Sequence, residues 1–209
     1  MSIEERLASA ARGLEAPEHD SAAFAARALD EGLADVAYAH TDSPLGRLLV
    51  AATPAGLACI SYLDFRPEDE VLTRLADRLS PRVVEAPARL DDVRRQLDDY
   101  FAGRLREFEL PLDWGLVSDF SRRVLGSTAE IPFGGVATYG DIAKAIGSPG
   151  AARATGNALG SNPMPIVVPC HRVVRGGGKI GGYTGGLERK ELLLTLERGG
   201  SAEGGARLF

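Results

Sequence analysis

The chain has 209 residues, of which 44% are hydrophobic and 25% are charged, and its formal net charge is −5. These values are typical of a globular protein with one large or two small domains. No apolar run approaches the roughly 20 residues of a membrane span, and the first residues do not resemble a signal peptide, so we expect a cytoplasmic protein that does not enter membranes. The only cysteines, Cys59 and Cys170, are too few for a disulfide framework or a cysteine–histidine zinc cluster, and we predict no metal site.

Charge is distributed unevenly along the chain. Residues 1–114 contain 13 basic and 22 acidic side chains, a net charge of −9, whereas residues 115–209 contain 11 and 7, a net charge of +4. An excess of this size also occurs on surfaces that bind nothing. It is therefore compatible with a DNA-facing side in the second half without identifying one.

The first 35 residues are rich in alanine and in charged side chains. Apolar residues recur at helical spacing within 3–14 and again within 21–33, and Pro17 separates the two segments. We therefore predict two short helices in an N-terminal extension, residues 1–35.

Residues 36–110 are predicted to form a small α/β domain. Short β-prone runs separated by turn signals indicate an antiparallel meander, and helical spacing follows it. Cys59 lies mid-strand between apolar neighbours, which favours an inert core residue. Residues 111–118, with Pro111 inside them, are interpreted as a linker. The predicted strands are Val36–His40, Arg47–Ala52 and Leu57–Leu63, and the predicted helices are Glu68–Leu79 and Leu90–Phe101.

Residues 119–200 are predicted to form a mainly helical domain, followed by a tail, residues 201–209. The first helix covers Ser121–Ala129, and a capping box between Thr138 and Asp141 opens the second. Ser148 as N-cap and Pro149 at the first helical position predict a third helix that runs to about Leu159. Two short helices joined by a glycine-containing turn are typical of a helix-turn-helix, although unrelated helical hairpins share this pattern.

The third helix is composed almost entirely of small residues and contains one arginine, Arg153. Small side chains let a backbone approach its neighbour closely, so tight packing against another helix is one explanation. The other is that a thin helix enters a DNA groove and directs Arg153 into the base stack.

The segment around Cys170 carries the strongest signal for chemistry. Adjacent residues on a strand point to opposite faces, but Pro169 favours a turn that would let Cys170 and His171 share a site. A nearby base is the usual means of making a thiol nucleophilic, and His171 is the candidate, with Glu197 able to orient its imidazole. The alternative is that Cys170 is a structural core residue, which is the usual role of a lone cysteine in an apolar run. The seven glycines within 176–186 indicate flexibility and close backbone approach.

Pro169-Cys170-His171-Arg172-Val173 resembles the active-site signature of the O6-alkylguanine-DNA alkyltransferases. The resemblance covers roughly residues 131–197 and includes Ala-Thr-Tyr-Gly-Asp at 137–141, Ala-Ala-Arg-Ala at 151–154, Ser-Asn-Pro at 161–163 and Gly-Gly-Tyr-Thr-Gly-Gly at 181–186. It implies an α+β fold in which a small N-terminal α/β domain, similar to ribonuclease H and built on an antiparallel sheet, precedes a helical domain with a winged-helix-like helix-turn-helix.

The resemblance also implies a role for each matching residue in the reaction. Cys170 would accept the alkyl group from O6-alkylguanine, and His171 would deprotonate it through a bridging water. Glu197 would polarise His171, Asn162 would order the turn that holds them, and Tyr139 would donate a hydrogen bond to the leaving base. The product is a thioether, so each molecule would act once, without a cofactor.

The implied partner is double-stranded DNA that contains O6-alkylguanine, with O4-alkylthymine as a further candidate, bound by a monomer that could act cooperatively. The target nucleotide would be flipped out through the minor groove, because its reactive atom is out of reach inside the stack. Arg153 would replace that nucleotide. The other implied DNA-binding residues are Ala152, Thr138, Gly156 and Arg172, and the implied pocket residues are Val173, Tyr183, Thr184 and Pro165.

Three alternatives belong to other classes. A non-catalytic module that recognises alkylated bases and recruits other repair factors would lack the reactive cysteine. A cysteine hydrolase would need a histidine from elsewhere in the chain, and His19 and His40 both lie in the N-terminal third. A transcriptional regulator switched by alkylated Cys170 would be an additional role. The sequence departs from the family pattern at Ser121 and Leu125, where a glutamine and a tryptophan are usual, which affects packing rather than chemistry.

Overall fold

The structure, a computed structural model, describes residues 18–199. The helix predicted within residues 3–14 lies outside this range. The second predicted helix is present as α1, Glu18–Asp30. The turn after the helix contains Gly32, which has a positive φ of 68°, and the Leu33 amide donates to the Ala28 carbonyl at 2.7 Å. This arrangement satisfies carbonyls that a helix end leaves free, and glycine adopts the required conformation without strain.

A four-stranded sheet forms the centre of the N-terminal domain. Strands β1 (Val36–Thr41), β2 (Leu48–Thr53) and β3 (Gly56–Tyr62) form the predicted antiparallel meander. A fourth strand, β4 (Val83–Glu85), pairs with β1 in parallel and gives the order β3-β2-β1-β4. The predicted antiparallel meander is therefore present, and β4, which was not predicted, makes the sheet mixed. The chain returns to β1 through helix α2 (Glu68–Arg78), a crossover that leaves the new strand parallel, and three residues are too few to show an alternating pattern.

The sheet buries side chains on both faces. Consecutive residues of β2 enter different cores, since Val50 packs in the larger apolar cluster and Leu49 in a smaller one beneath α2. Helix α3 (Asp91–Phe101), which follows a short 3-10 helix at Pro87–Leu90, covers the larger cluster. Cys59 lies in the smaller cluster, where burial raises the pKa of its thiol to about 11, in keeping with the predicted inert core residue.

The predicted linker, residues 111–118, is docked on the sheet. The Leu57 amide donates to the Pro111 carbonyl at 2.8 Å, and the Asp113 amide donates back to Leu57 at 2.8 Å. Gly56 permits this approach, because a Cβ atom there would lie 2.2 Å from the Pro111 carbonyl oxygen. The segment therefore extends the edge of the sheet and delivers the chain to Ser118.

The C-terminal domain is mainly helical. Ser118 caps helix α4 (Asp119–Ala129) by accepting a hydrogen bond from the Ser121 amide. Helices α5 (Tyr139–Ala145) and α6 (Ala152–Gly160) form the predicted helix-turn-helix, and the predicted capping box of α5 is present. The predicted start of α6 is wrong: Ser148 accepts a backbone bond from Ala151 in a turn, and the helix begins three residues beyond Pro149, without a side-chain cap.

A two-stranded parallel sheet links the helix-turn-helix to the segment that contains Cys170. Strand β5 (Ala137–Thr138) immediately precedes α5 and pairs with β6 (Val173–Val174). The last described helix, α7 (Leu187–Glu197), packs against the segment between the cysteine and β6. The predicted α+β class, with a small α/β domain followed by a mainly helical one, is confirmed. No helix among residues 18–199 combines the length and the apolar character of a membrane span.

Candidate active site

Cys170 begins a short 3-10 helix, Cys170–Arg172, at the end of a compact turn. Asn162 organises this turn: its side-chain amide donates to the Val168 carbonyl at 2.9 Å and contacts Cys170 Sγ at 3.2 Å, and its Oδ1 accepts from the Met164 amide at 3.0 Å. The turn, rather than the strand that its apolar run suggests, keeps Cys170 and His171 in one site.

Backbone strain accompanies this turn. Ile166 has a φ of 77°, and within the described part of the chain no other non-glycine residue has a positive φ. A β-branched side chain is strongly disfavoured there, so surrounding contacts must impose the conformation. Ile166 is fully buried in the main core, which supplies those contacts.

His171 is fully buried beside the last turn of α7. Its Nε2 lies 2.8 Å from Glu197 Oε1, and its Nδ1 has no hydrogen-bond partner among the described residues. Burial is the largest influence on this imidazole and lowers its pKa, although Glu197 opposes the shift. The ring is therefore neutral at physiological pH, with one nitrogen oriented by a carboxylate and the other available to take a proton.

Glu197 collects hydrogen bonds from several directions. Besides His171, it accepts from the Tyr100 hydroxyl at 2.6 Å, from the Gly134 amide at 3.1 Å and from Arg172 at 2.9 Å through both Nε and Nη2. Burial by itself would raise the pKa of this carboxyl, but the hydrogen bonds outweigh it and hold the pKa at about 2. Glu197 is thus a fixed negative charge at the base of the site.

The prediction that Arg172 contacts DNA is wrong. Its side chain is buried, is bound to Glu197 through two nitrogens and donates a further bond to the Ile131 carbonyl. A guanidinium committed in this way cannot reach a phosphate without breaking a buried ion pair. Arg172 therefore neutralises Glu197 and connects α7 to the segment that follows α4.

Burial dominates the electrostatics of Cys170 and raises the pKa of its thiol to about 11. The contact with Asn162 and the positive charge of Lys190 act in the opposite direction without overcoming it. A pKa near this value leaves roughly one thiol in ten thousand ionised at pH 7. The resting pair is a thiol beside a neutral imidazole, and proton transfer must accompany reaction rather than precede it.

Lys190 and Tyr100 are site residues that the sequence reasoning missed. The Lys190 ammonium is buried and donates to the carbonyls of Val173 at 2.6 Å and Gly182 at 3.1 Å, which ties β6 to the glycine-rich loop. Burial lowers its pKa to about 8. A signal was available, because Lys190 lies seven residues before Glu197 and so occupies the same buried face of α7.

A cavity of about 240 Å³ opens directly at Cys170. Its walls come from α5, α6 and the glycine-rich loop, which places the predicted residues Tyr139, Gly156, Tyr183 and Thr184 around the thiol. The Tyr139 hydroxyl lies 3.5 Å from the Gly182 carbonyl, too far for a strong hydrogen bond, so it remains able to donate to a ligand.

Two predicted pocket residues lie elsewhere. Val173 is fully buried and contributes its carbonyl to Lys190 rather than a surface to this cavity. Pro165 lines a second, larger cavity that also reaches Cys170. The sequence signature identified the neighbourhood of both residues but could not show which way each faces.

Helix α6 presents the predicted DNA-facing residues at the surface. Ala152 and Arg153 are exposed, whereas Gly156 faces inward, where a Cβ atom would lie 3.7 Å from the Tyr139 ring. The hydroxyl of Thr138 is half-buried and is engaged in the capping box with Asp141. One face of α6 therefore packs against the cavity wall, as close packing of its small residues predicts, and its exposed side carries Arg153.

The fold and the site together define a protein with a buried cysteine–histidine–glutamate arrangement directly behind a helix-turn-helix. Residues 36–114 match the ribonuclease-like domain of 6-O-methylguanine DNA methyltransferase, and residues 119–199 match the DNA-binding domain of the same protein. The chain belongs to the methylated-DNA–protein-cysteine methyltransferase family.

Individual relatives cover most of the chain. The methylated-DNA–protein-cysteine methyltransferase of Mycolicibacterium paratuberculosis is 44% identical over 78% of this chain and 93% of its own length, and that of Methanosarcina acetivorans is 40% identical over 77% and 97%. The structure is similar to that of Mycobacterium tuberculosis OGT in complex with DNA, with a TM-score of 0.69 and 39% identity over 79% of this chain and 96% of the other. A Pyrococcus kodakaraensis O6-methylguanine-DNA methyltransferase gives a TM-score of 0.58 at 27% identity, over 78% and 98% of the two chains.

Proposed function

We propose that this protein repairs DNA by direct reversal, transferring the alkyl group of O6-alkylguanine in double-stranded DNA irreversibly to Cys170. The observation that carries the proposal is the position of the thiol. Cys170 lies in the wall of a cavity that opens beside the helix-turn-helix, and it is backed by the buried His171–Glu197 pair. Membership of the methyltransferase family supports the same activity.

The chemistry follows from the geometry around the thiol. As Cys170 Sγ attacks the alkyl carbon, its proton passes through a water to Nδ1 of His171, and Glu197 stabilises the imidazolium that forms. The new bond joins sulfur to the alkyl carbon, and the bond between that carbon and O6 breaks. Negative charge then develops on the departing guanine.

Tyr139 is suited to stabilise that negative charge by donating a hydrogen bond. Burial is the main cause of the raised pKa of its hydroxyl, so the phenol stays protonated and can donate a hydrogen bond to the leaving base. The product is a thioether that water does not cleave under physiological conditions. Each protein molecule therefore acts once, and the reaction requires no cofactor.

The target nucleotide must leave the duplex, because Cys170 is 6% exposed and cannot approach a stacked base. We propose that α6 enters the minor groove and that Arg153 takes the place of the extruded nucleotide. The exposed Arg153 and Ala152 lie at the start of α6, and Gly156 further along the helix lines the cavity. The helix would thus connect the groove to the site of reaction. O4-alkylthymine remains a candidate substrate, and cooperative binding remains a prediction.

The test is the intact mass of the protein after incubation with a duplex that carries one O6-methylguanine. We expect native protein to gain one methyl group on the peptide that contains Cys170, Cys170→Ser to gain none, and the control Cys59→Ser to behave as native. Binding to the duplex without any gain in mass would overturn the proposal and favour the non-catalytic recognition module.

A hydrolase is less compatible with the site. A hydrolytic cysteine needs a histidine from elsewhere in the fold, and His40 is held between Glu68 and Glu85 on the N-terminal sheet. A cytoplasmic location is also part of the proposal, and fractionation of cells that express the tagged protein tests it.

A further inference from the structure

A second cavity, of about 430 Å³, lies between the two domains and also ends at Cys170. Gly160, Cys170 and Thr184 line both this cavity and the smaller one described above. The Thr184 hydroxyl donates to the Gly160 carbonyl at 2.7 Å, so these two residues form a bridge beside the thiol. The reacting sulfur therefore lies at the junction of two cavities. We call the smaller one, about 240 Å³ in volume, the base pocket, because the proposed function places the flipped guanine there.

The two cavities differ in charge. The far wall of the interdomain cavity is formed by β3, the turn after it and α2, and it carries the guanidinium groups of Arg66 and Arg74. Both arginines are half-buried, and neither forms an ion pair with a carboxylate in the described part of the chain. Glu70 also lines this wall but is exposed, so the enclosed charge is positive.

The two arginines are also close enough to affect each other. Burial is the largest cause of the lowered pKa of Arg74, and the positive charge of Arg66 contributes in the same direction. Two like charges held together in a partly desolvated site are unfavourable unless an anion neutralises them. The cavity is therefore complementary to a negatively charged group that reaches it from the direction of Cys170.

We propose that this cavity is a subsite for O6-alkyl chains that end in a carboxylate, with Arg66 and Arg74 as its recognition groups. The inference rests on the proposed alkyl transfer to Cys170. When sulfur bonds to the first carbon of the chain and O6 departs, the rest of the chain must lie beside the thiol, where the second cavity begins. The carboxylate is a spectator in this step and stays ionised, since the bonds that form and break are those of the alkyl transfer already described.

The consequence is a preference among bulky adducts. A chain too long for the base pocket gains a charge-assisted hydrogen bond if it carries a carboxylate, whereas a neutral chain of equal length gains only apolar contact. We expect carboxylate-bearing chains of suitable length to react faster than their neutral counterparts. Methyl transfer does not use the subsite.

The test compares second-order rate constants for free O6-alkylguanine bases, which contain no phosphate that could occupy the arginines. Matched pairs with carboxyalkyl and neutral alkyl chains of two, four and six carbons establish which length spans the cavity. In the double variant Arg66→Gln/Arg74→Gln, we expect the rate for the best carboxylate chain to fall about tenfold, which is the size of one charge-assisted hydrogen bond. The rate for its neutral partner should change less than twofold.

Arg122→Gln, an exposed change on α4 that removes one positive charge away from the cavity lining, is the control and should leave the ratio of the two rates unchanged. An equal fall for carboxylate and neutral chains in the double variant, or no fall for either, would overturn the subsite. Methyl transfer from an O6-methylguanine duplex is measured in parallel with native protein. If native protein transfers no methyl group, the proposed function itself is overturned. If it does, but the double variant keeps the native ratio of carboxylate to neutral rates, only the subsite is overturned.

Discussion

The segment that carries Cys170 and the helix proposed to meet DNA are built on opposite principles. His171, Arg172 and Glu197 are buried and joined by hydrogen bonds of 2.8 to 2.9 Å, so each side chain is held in place by its neighbours. Helix α6, by contrast, has an outer face of small residues from which Arg153 extends, exposed to solvent. The contrast indicates that the proposed chemistry relies on groups held in place before the substrate arrives, whereas the proposed duplex recognition relies on an exposed surface that DNA can reach.

Replacement of His171, the proposed general base, gives the largest expected loss of reaction rate in the buried region. His171→Gln should slow reaction with free O6-benzylguanine by about 10² to 10⁴-fold, the usual contribution of a general base. His40→Gln, on the N-terminal sheet, is the matched control and should leave the rate unchanged.

The pH dependence of the same reaction sharpens this result. Cys170 has its pKa raised to about 11 and His171 has its pKa lowered, so between pH 6.5 and 7.5 native protein keeps one protonation state and its rate should be nearly flat. Lys190, whose pKa is about 8, stays mostly charged over this range. The His171→Gln variant must instead ionise its thiol to solvent, and its rate should rise about tenfold per pH unit. A tenfold rise in native protein would contradict the role of His171.

Neutralising the buried carboxylate gives the next largest effect, measured on stability. Glu197→Gln leaves Arg172 buried without its counter-charge, and we expect the free energy of unfolding to fall by about 3 to 5 kcal/mol in urea titrations. Glu191→Gln, an exposed change on the same helix, should alter it by less than about 0.5 kcal/mol.

The loss of stability at acid pH tests whether the same carboxylate is ionised in the folded protein. The pKa of Glu197 is about 2 in the folded protein, against an ordinary value of 4.5, so its contribution is complete above pH 4.5 and is lost as the pH falls towards 2. Native protein should therefore lose stability over this interval more steeply than Glu197→Gln. Parallel curves for the two proteins would show that the carboxylate is not held ionised by its partners.

A smaller effect is expected from the turn. Asn162→Ala removes the contact to Cys170 Sγ and the bond to the Val168 carbonyl, and should slow the free-base reaction about tenfold, the value of one or two hydrogen bonds. Asn157→Ala, which changes an exposed residue of α6, should leave the free-base rate unchanged. Similar rates for both variants would mean that the turn is ordered without Asn162.

Elements that depend on local sequence patterns were predictable, and elements that depend on the rest of the fold were not. The meander, α2, α3, α4 and the capping box of α5 were predictable because alternation, helical spacing and capping are local patterns. Strand β4 was missed because three residues carry no pattern. The start of α6 was misplaced because Ser148 and Pro149 look like a helix start in isolation, whereas the chain turns there first.

In the site, the residues of the signature were predictable but their environments were not. The resemblance implied that Arg172 contacts DNA, and only the fold shows that Glu197 and Ile131 accept its hydrogen bonds in a buried site. The contribution of Tyr100 to Glu197 spans 97 residues of sequence, a separation over which no local pattern operates. Long-range contacts of this kind need the structure.

The central claim, that the buried segment performs the chemistry and α6 performs the recognition, is tested most directly by Arg153→Ala on two substrates. With a duplex that carries O6-methylguanine, we expect the rate to fall about tenfold, because the extruded nucleotide loses its replacement in the stack. With free O6-benzylguanine, which needs no extrusion, the rate should match that of native protein. Equal slowing of both reactions would contradict the division between the two regions and the role proposed for Arg153.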